Sequence, residues 1–458
     1  MIHIHLIGIG GTGLSAIARV LLEMGYTVSG SDRAESVFTR DLQAAGATIF
    51  IGHQAGNVRG ADLIVRSSAI LDDNPEVVAA RALRIPVLKR ADFLGSLMDG
   101  RTGIAVAGTH GKTTTTAMIA WMLSSLGQDP SFIVGGMITD LGVNARAGKG
   151  PAFVIEADEY DRMFLGLRPS IEVVTNVEHD HPDCYPTPED FHAAFVEFVY
   201  HLAEGGTLVA CDEDTGARDL IDRADKLGKA VIAYGLPATR ADGTQMDVYT
   251  SIISPNKKGG FTFIASVLGN EVTVELQVPG KHNVRNALAA LTVAHLLDLP
   301  LTEAAKALGK FHGAGRRFEV RGKVNGITVI DDYAHHPTEI RATLAAARAR
   351  YPSARIWAVW QPHTYSRTQT LFKDFTTAFA EADEVIVTEI YPAREPRQDY
   401  SSKQVVDAMA RPAHFIPELA EVSNYLVSNL HPGDVLLVLS AGDADQVSTQ
   451  VLTRLKEA

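Results

Sequence analysis

Apolar residues fall along this chain in two alternating patterns, short unbroken runs and longer stretches at helical spacing. In residues 1–98 the short runs lie at 2–7, 27–31, 63–66 and 86–88, and helical spacing predicts helices near 13–24 and 37–45. Such alternation predicts a parallel sheet with crossover helices. A second unit, 99–312, has strand-like runs at 104–107, 153–156, 173–176, 207–211 and 230–234, with helical stretches between them. Over 245–278 the pattern changes to short alternating segments broken by Asn and Gly turns (SPNKKGG, LGNEV), which predicts an antiparallel patch, and a helix follows at 284–297. A third unit, 313–458, has runs at 327–331, 355–360, 384–388 and 434–439, and its Gly-rich start at 313–315 is a candidate hinge.

Composition narrows the classes. The 458 residues are 46% hydrophobic and 21% charged, a globular balance and enough chain for about three domains of roughly 150 residues. A net charge of −12 argues against nucleic acid as a partner, which would need clustered Lys and Arg. Cys184 and Cys211 are the sole cysteines, too few to staple such a chain, so a reducing, cytoplasmic setting is expected. The opening MIHIHLIGIGGTG enters a strand pattern at once, without a basic segment leading into an apolar one. No apolar run approaches the ~20 residues of a membrane span, so no membrane insertion is expected. Monomer and homodimer are equally compatible with this pattern.

The sharpest local signal is Gly108-Thr109-His110-Gly111-Lys112-Thr113-Thr114, between an apolar run and a helical stretch. Glycines let the backbone curl so that successive N–H groups face phosphate oxygens, and the helix N-terminus adds partial positive charge. Lys112 can bridge β- and γ-phosphates of ATP, and the Thr113 hydroxyl can ligate Mg²⁺. The spacing departs from the general phosphate loop, because position 106 is Val and the first Gly is at 108. An ordinary strand-to-helix turn is the plain alternative.

Two further strands end in polar clusters, Glu156-Ala157-Asp158-Glu159-Tyr160-Asp161 and Thr175-Asn176-Val177-Glu178-His179-Asp180-His181. Strand C-termini of a parallel sheet share one edge, so both clusters are expected beside the phosphate loop. Glu156 is a candidate Mg²⁺ ligand and His181 a candidate for a second divalent ion. Solvated loop acids are the plain reading of Asp158, Glu159, Asp180 and Asp183. His179, His181 and Cys184 also permit a zinc reading, though three mixed ligands on one loop lack a fourth.

Near the N-terminus, Gly8-Ile9-Gly10-Gly11-Thr12-Gly13 matches a dinucleotide fingerprint, and Asp32 ends the next strand where a ribose-binding acid is expected. The physics asks for a diphosphate on a helix N-terminus with a ribose nearby, which a UDP-sugar satisfies as well as NAD. Ser67 and Ser68 fall on the same sheet edge, where helix capping is the alternative. Farther along, His282, Asn283 and Asn286 open a helix, the two Asn residues sharing a face suited to an adenine edge or a phosphate network. Asp331-Asp332-Tyr333-Ala334-His335-His336 and Gln361-Pro362-His363-Thr364-Tyr365-Ser366-Arg367 end two strands of the third unit, preceded by Gly315-Arg316-Arg317, whose cations can clamp phosphate or carboxylate.

In order, GIGGTG, SGSD, SSAI, AGTHGKTTTT, EADE, TNVEHDH, GKHNVRNALAA, GAGRRFE, DDYAHHPTEI, QPHTYSRT and IYPARE resemble the Mur ligase family across nearly the whole chain. The shortened phosphate loop is the form that family uses. The resemblance implies an α/β, three-domain Mur ligase architecture: an N-terminal Rossmann-like UDP-sugar domain (1–98), a central ATPase domain with a small antiparallel β patch (99–312), and a C-terminal Rossmann-like amino-acid domain (313–458). It implies an ATP-dependent acid–amino-acid ligase of peptidoglycan synthesis, acting on UDP-N-acetylmuramate and L-alanine, with two Mg²⁺ ions and Mn²⁺ as a substitute. The UDP-sugar falls to Gly8, Gly10, Gly11, Thr12, Gly13, Asp32, Ser67 and Ser68. ATP falls to residues 108–114, His282, Asn283, Asn286, Arg316 and Asp332. The metal falls to Thr113, Glu156 and His181, catalysis to Lys112, Glu156, His181, Arg316 and Asp332, and the amino acid to Tyr333, His336, His363 and Arg367. The chain departs from the family at Tyr160, usually Ser, and at Thr364, commonly basic. Three readings compete: a recycling ligase that attaches a whole murein peptide to the same sugar, a nicotinamide-dependent oxidoreductase using the N-terminal loop, and a nucleotide sensor that ligates nothing.

Overall fold

Strands covered by helices on both faces must be apolar throughout, and β6 (Thr102–Ala107) shows the consequence, five of its six residues being buried. In the computed structural model, which describes residues 1–457, such strands organise three sheets. The three-part α/β architecture expected from the sequence is what the chain forms.

The first sheet comprises β1 (His3–Ile7), β2 (Thr27–Asp32), β3 (Thr48–Ile51), β4 (Leu63–Arg66) and β5 (Val87–Lys89), all parallel in the order β3-β2-β1-β4-β5. The order reverses between β1 and β4, so the crevice at the C-terminal end of β1 falls at the glycine loop.

Ten strands form the second sheet: β6, β7 (Ser131–Ile138), β8 (Val143–Arg146), β9 (Ala152–Glu156), β10 (Ile171–Val174), β11 (Thr207–Cys211), β12 (Ala230–Tyr234), β13 (Val248–Pro255), β14 (Phe261–Val267) and β15 (Asn270–Glu275). Their order is β15-β14-β13-β12-β11-β10-β6-β9-β7-β8, parallel in the middle and antiparallel at β13-β14-β15 and at β7-β8. The antiparallel segment foreseen for 245–278 is present, whereas the β7-β8 hairpin is an addition to the sequence reading. Helices Lys112–Ser125 and Lys281–Leu296 cover one face with fully buried Met118, Met122, Leu288 and Leu291. Truncating any of these to Ala costs about 2–5 kcal/mol. On the other face Phe164 stacks on Phe198, with ring centroids 4.6 Å apart.

The third sheet, β16 (Glu319–Val324), β17 (Ile327–Asp332), β18 (Ile356–Gln361), β19 (Glu384–Val387), β20 (His414–Phe415) and β21 (Val435–Ser440), has the order β16-β17-β21-β18-β19-β20. Only β16 runs antiparallel to its neighbour. Fully buried Trp357 and Trp360 project from β18 into the cores on its two faces. The segment 313–315 is tied to the central unit: Gly315 N–H donates to Met137 O at 2.8 Å and Thr139 N–H to Gly313 O at 3.1 Å. Among the described residues no helix is long and apolar enough to cross a membrane.

Candidate active site

The loop after β6 can curl because Gly108 and Gly111 take φ of +133° and +82°, values costly for a side-chain-bearing residue. A Cβ at Gly108 would lie 2.1 Å from Thr175 Oγ1, and one at Gly111 would lie 3.1 Å from Asn286 Oδ1. The Asn176 side chain clasps the loop, accepting from His110 N–H at 2.8 Å and donating to His110 O at 3.0 Å. The Thr109 hydroxyl is spent on the Glu178 backbone, at 2.7 and 2.8 Å. Lys112 Nζ donates to Gly108 O at 2.6 Å and meets Glu159 Oε2 at 2.8 Å. Burial opposes the Lys112 charge, yet Glu159 and the neighbouring acids outweigh it and raise the ammonium above its ordinary value.

Thr113 Oγ1 donates to Glu156 Oε1 at 2.9 Å, and Glu156 Oε2 accepts Gly135 N–H at 2.6 Å. Adjacent oxygens of an octahedral Mg²⁺ at ~2.1 Å stand about 2.9 Å apart, so the hydroxyl and carboxylate fit two neighbouring coordination positions. Burial raises the Glu156 carboxyl, against the attraction of Lys112. His181, with φ of +55°, places Nε2 3.4 Å from Glu159 Oε1. Glu159 and Asp180 are buried, not the solvated loop acids the sequence suggested. His179 Nε2 donates to Tyr185 O at 2.8 Å, apart from any three-ligand cluster with His181 and Cys184. Among the described residues the His, Cys and acidic side chains that bring three donors within 4.8 Å of one another are His110, Glu178 and His336.

Across the unit boundary lies a cavity of about 690 Å³, whose lining includes Thr113, His282, Asn283, Asn286, Arg317 and Asp332. Asn283 Oδ1 accepts from Asn286 Nδ2 at 3.1 Å, the shared helix face expected from their spacing. Burial and Arg285 bring His282 down to about 4, so it is neutral. Asp332 accepts Phe318 N–H at 2.7 Å and Ala334 N–H at 2.8 Å, and burial raises it to about 6.

Arg316 departs from its expected place. Its guanidinium points into its own unit, at Asp331 (3.3 Å), Ser440 O (2.8 Å) and Gly442 O (3.4 Å). The neighbouring Arg317 crosses instead, donating to Thr113 Oγ1 at 3.3 Å. Left-handed φ values at Arg316 (+56°) and Phe318 (+50°) turn the two side chains apart. Sequence reading takes both arginines as candidate clamps and gives the ATP contact to Arg316 alone.

Tyr333 lies between Arg316 and Arg317, whose guanidinium carbons stand 5.3 and 4.8 Å from its ring. His363 stacks on Tyr391 at 5.8 Å and accepts from Arg367 Nη1 at 3.0 Å. Burial, then His335 and Arg367, bring His363 down to about 2 and keep it neutral. Arg367 is buried and paired with Asp180 of the central unit. Thr364 caps the helix Tyr365–Thr370. His336 caps Pro337–Arg350 and packs against His110, ring centroids 4.6 Å apart and planes tilted by 46°, so it faces the phosphate loop rather than His363. Two residues that sequence reading passed over, Glu178 and Glu339, hold His110 from both sides at 3.0 and 3.2 Å. Burial alone would lower His110, but these carboxylates raise it to about 9.

In the first unit, Asp32 Oδ2 accepts Gly10 N–H at 2.8 Å and Oδ1 accepts Arg33 N–H at 2.7 Å, so its carboxylate braces the glycine loop. A Cβ on Gly8 would lie 3.1 Å from Ser67 Cβ, which places that serine against the loop, while Ser68 is exposed. Gly11 precedes the helix Thr12–Glu23, whose first turn holds Thr12 and Gly13.

Family models match in the same order along the chain. "Mur ligase family, catalytic domain" covers residues 3–102, "Mur ligase middle domain" 106–294 and "Mur ligase, glutamate ligase domain" 316–442. A UDP-N-acetylmuramate–L-alanine ligase of Geobacter sp. (strain M21) is 46% identical over 100% of this chain and 98% of its own length. One from Pelotomaculum thermopropionicum is 44% identical over 99% and 98%. The crystal structure of a UDP-N-acetylmuramate-alanine ligase from Thermotoga maritima superposes with a TM-score of 0.80 at 31% identity, covering 100% of both chains. A murein peptide ligase from Psychrobacter arcticus gives 0.71 at 26% identity, over 100% of this chain and 99% of its own.

Proposed function

The chain belongs to the Mur ligase family, and from that premise we infer that it joins L-alanine to the lactyl carboxylate of UDP-N-acetylmuramate at the expense of ATP. The step belongs to peptidoglycan precursor synthesis and releases ADP and phosphate. One observation carries the site assignment. Thr113 Oγ1 has Glu156 at 2.9 Å on one side and Arg317 from the third unit at 3.3 Å on the other, at the mouth of the phosphate loop.

In this reading the loop amides and Lys112 receive the triphosphate, and Asn283 and Asn286 line the nucleotide cavity with His282. Lys112 leaves Glu159 for the phosphates as they enter. Thr113 and Glu156 would hold one Mg²⁺ and His181 a second, with Mn²⁺ able to use the same donors. Bound magnesium supplies charge neutralisation at the β- and γ-phosphate oxygens. The lactyl carboxylate oxygen attacks the γ-phosphorus in line, the bond to the ADP oxygen breaks, and an acyl phosphate forms. Lys112 and Arg317 stabilise the charge spread over the transferring group. The neutral amine of alanine then attacks the acyl carbon and phosphate leaves.

Protein groups chiefly position the reactants here. Arg367, His363 and Tyr333 receive the amino acid in this assignment. Docking of the third unit on the second brings Arg317 to the loop and shields the acyl phosphate from water. Two free cysteines and an acidic surface support a cytoplasmic setting.

The test is phosphate release with UDP-N-acetylmuramate, ATP, Mg²⁺ and either L-alanine or an L-alanyl-γ-D-glutamyl-meso-diaminopimelate tripeptide. Release with alanine and not with the tripeptide is expected. Turnover confined to the tripeptide would overturn the reading, as would NAD(P)H binding without ligation.

A further inference from the structure

The third glycine of the N-terminal loop has an unexpected neighbour. A Cβ built on Gly13 would lie 1.6 Å from Nη1 of Arg90, so the missing side chain admits a guanidinium against the first turn of the helix Thr12–Glu23. Arg90 opens the helix Arg90–Ser96, which leads from the first unit into the second. Close packing fixes that helix: a Cβ on Gly95 would lie 2.3 Å from Gly166 O, and one on Gly166 would lie 1.9 Å from Ala91 O. The guanidinium is held by Met163 Sδ at 2.8 Å from Nε and by Asp158 Oδ2 at 3.4 Å from Nη2, neither of which engages Nη1.

This placement is electrostatically odd. A helix N-terminus carries partial positive charge and favours anions, yet a cation is held there. Its partner Asp158 is long for an ion pair and 43% exposed. Burial, opposed by Asp158 and Asp161, pushes the guanidinium below its ordinary value. A cavity of about 130 Å³ opens beside it, with Thr12, Gly13, Arg90, Gly135, Glu156 and Asp158 in its lining, and so runs from the glycine loop to the Glu156 carboxylate. Arg90 is the one cation in that lining, beside the carboxylates of Glu156 and Asp158.

We propose that Arg90 is a substrate-binding residue for the sugar nucleotide, its Nη1 edge gripping an oxyanion of UDP-N-acetylmuramate between the glycine loop and the phosphate loop, and that Asp158 is the positioning residue that holds it ready. The proposal rests on the function inferred above. The ligand group is an oxyanion, either the diphosphate on the helix N-terminus or the lactyl carboxylate on its way to the γ-phosphate. Asp158 pre-orients the guanidinium. An ion pair that long yields to an incoming oxyanion at little cost.

The experiment measures Arg90→Lys and Arg90→Ala in the full chain. Losing charge-assisted hydrogen bonds raises the KM for UDP-N-acetylmuramate by roughly 10- to 100-fold. The KM values for ATP and alanine stay unchanged, and Arg90→Lys recovers part of the loss. The rise in Tm on adding UDP-N-acetylmuramate shrinks, while that on adding ATP persists, a split that a merely structural role would not produce. Asp158→Asn shows a smaller shift in the same KM. Weaker binding of both UDP-N-acetylmuramate and UDP-N-acetylglucosamine assigns the diphosphate, and loss confined to the former assigns the carboxylate. Wild-type affinity for the sugar nucleotide in Arg90→Lys would overturn the proposal. An inactive wild-type protein would instead strike the function on which it rests.

Discussion

The Arg367 guanidinium meets the Asp180 carboxylate at 2.7 and 3.2 Å, joining the third unit to the second through two buried side chains. Burial alone would raise Asp180, but Arg367 outweighs it and holds the carboxyl well below its usual range. Arg367 is also the cation assigned to the amino-acid carboxylate, so substrate and Asp180 compete for one guanidinium. Removing one partner of a buried pair costs about 3–5 kcal/mol. Asp180→Asn is therefore expected to separate the two units and to lower kcat by at least tenfold. Small-angle scattering should show a larger radius of gyration. An unchanged radius would mean that other contacts set the docking.

Lys112→Ala is expected to abolish phosphate release while UDP-N-acetylmuramate still raises the Tm. The lysine touches only Gly108, Thr109 and Glu159, none of which lies in the first unit. Full ligation by this variant would remove the phosphate-loop assignment.

Arg317 and Arg316 should separate cleanly. A cation on the transferring phosphoryl group is worth about 10³–10⁵ in kcat, so Arg317→Ala is expected to lose activity with little change in Tm. Arg316→Ala strips hydrogen bonds from Asp331, Ser440 and Gly442 and should chiefly lower the Tm. Steady-state rates and thermal unfolding on both variants decide the matter, and the reverse ranking would restore Arg316 to the ATP site.

His363→Ala should raise the KM for alanine more than that for ATP. The ring touches Arg367 and Tyr391 in the proposed amino-acid site and does not line the nucleotide cavity. An equal rise in both constants would place it elsewhere.

Glu172 on β10 supplies a pH test of stability. It is fully buried, both its carboxylate oxygens lack hydrogen-bond partners, and burial raises it to about 8 against a weak opposing pull from Lys229. A folded-state value above the unfolded one stabilises fully below ~4.5, and the contribution is lost as pH rises to about 8. Glu172→Gln should therefore match the parent at pH ~4.5 and exceed it in Tm at pH ~8.5. Equal stability at both pH values would show that the carboxyl ionises at its ordinary pH.

The phosphate loop was legible in sequence because strand, glycine turn and helix follow one another locally, each with its own periodicity. Glu156 was legible because strand ends of a parallel sheet share an edge. Other elements hid for identifiable reasons. In β7 the unbroken burial of Ser131–Val134 ends at Gly135 and Gly136, where the chain opens toward Glu156 and the segment 313–315. That Arg317 and not Arg316 reaches Thr113 goes with left-handed φ values at non-glycine residues, which no periodicity records. His336 resembled a substrate contact because its neighbours do, yet it caps a helix and lies on His110. Arg90 stood in an unremarkable helix start, and its role depends on a glycine far away in sequence.

The loop after β10 carries three attachments at once. Asn176 clasps the phosphate loop, Glu178 accepts from Thr338 Oγ1 at 2.8 Å, and Asp180 takes Arg367. One short loop thus ties the phosphate loop and the third unit to the same stretch of chain. Glu178 and Thr338 both line the nucleotide cavity, so an inhibitor wedged between them would compete with ATP and hold the third unit off the second at once. Propping that seam open would leave the residues assigned to alanine out of reach of the phosphate loop.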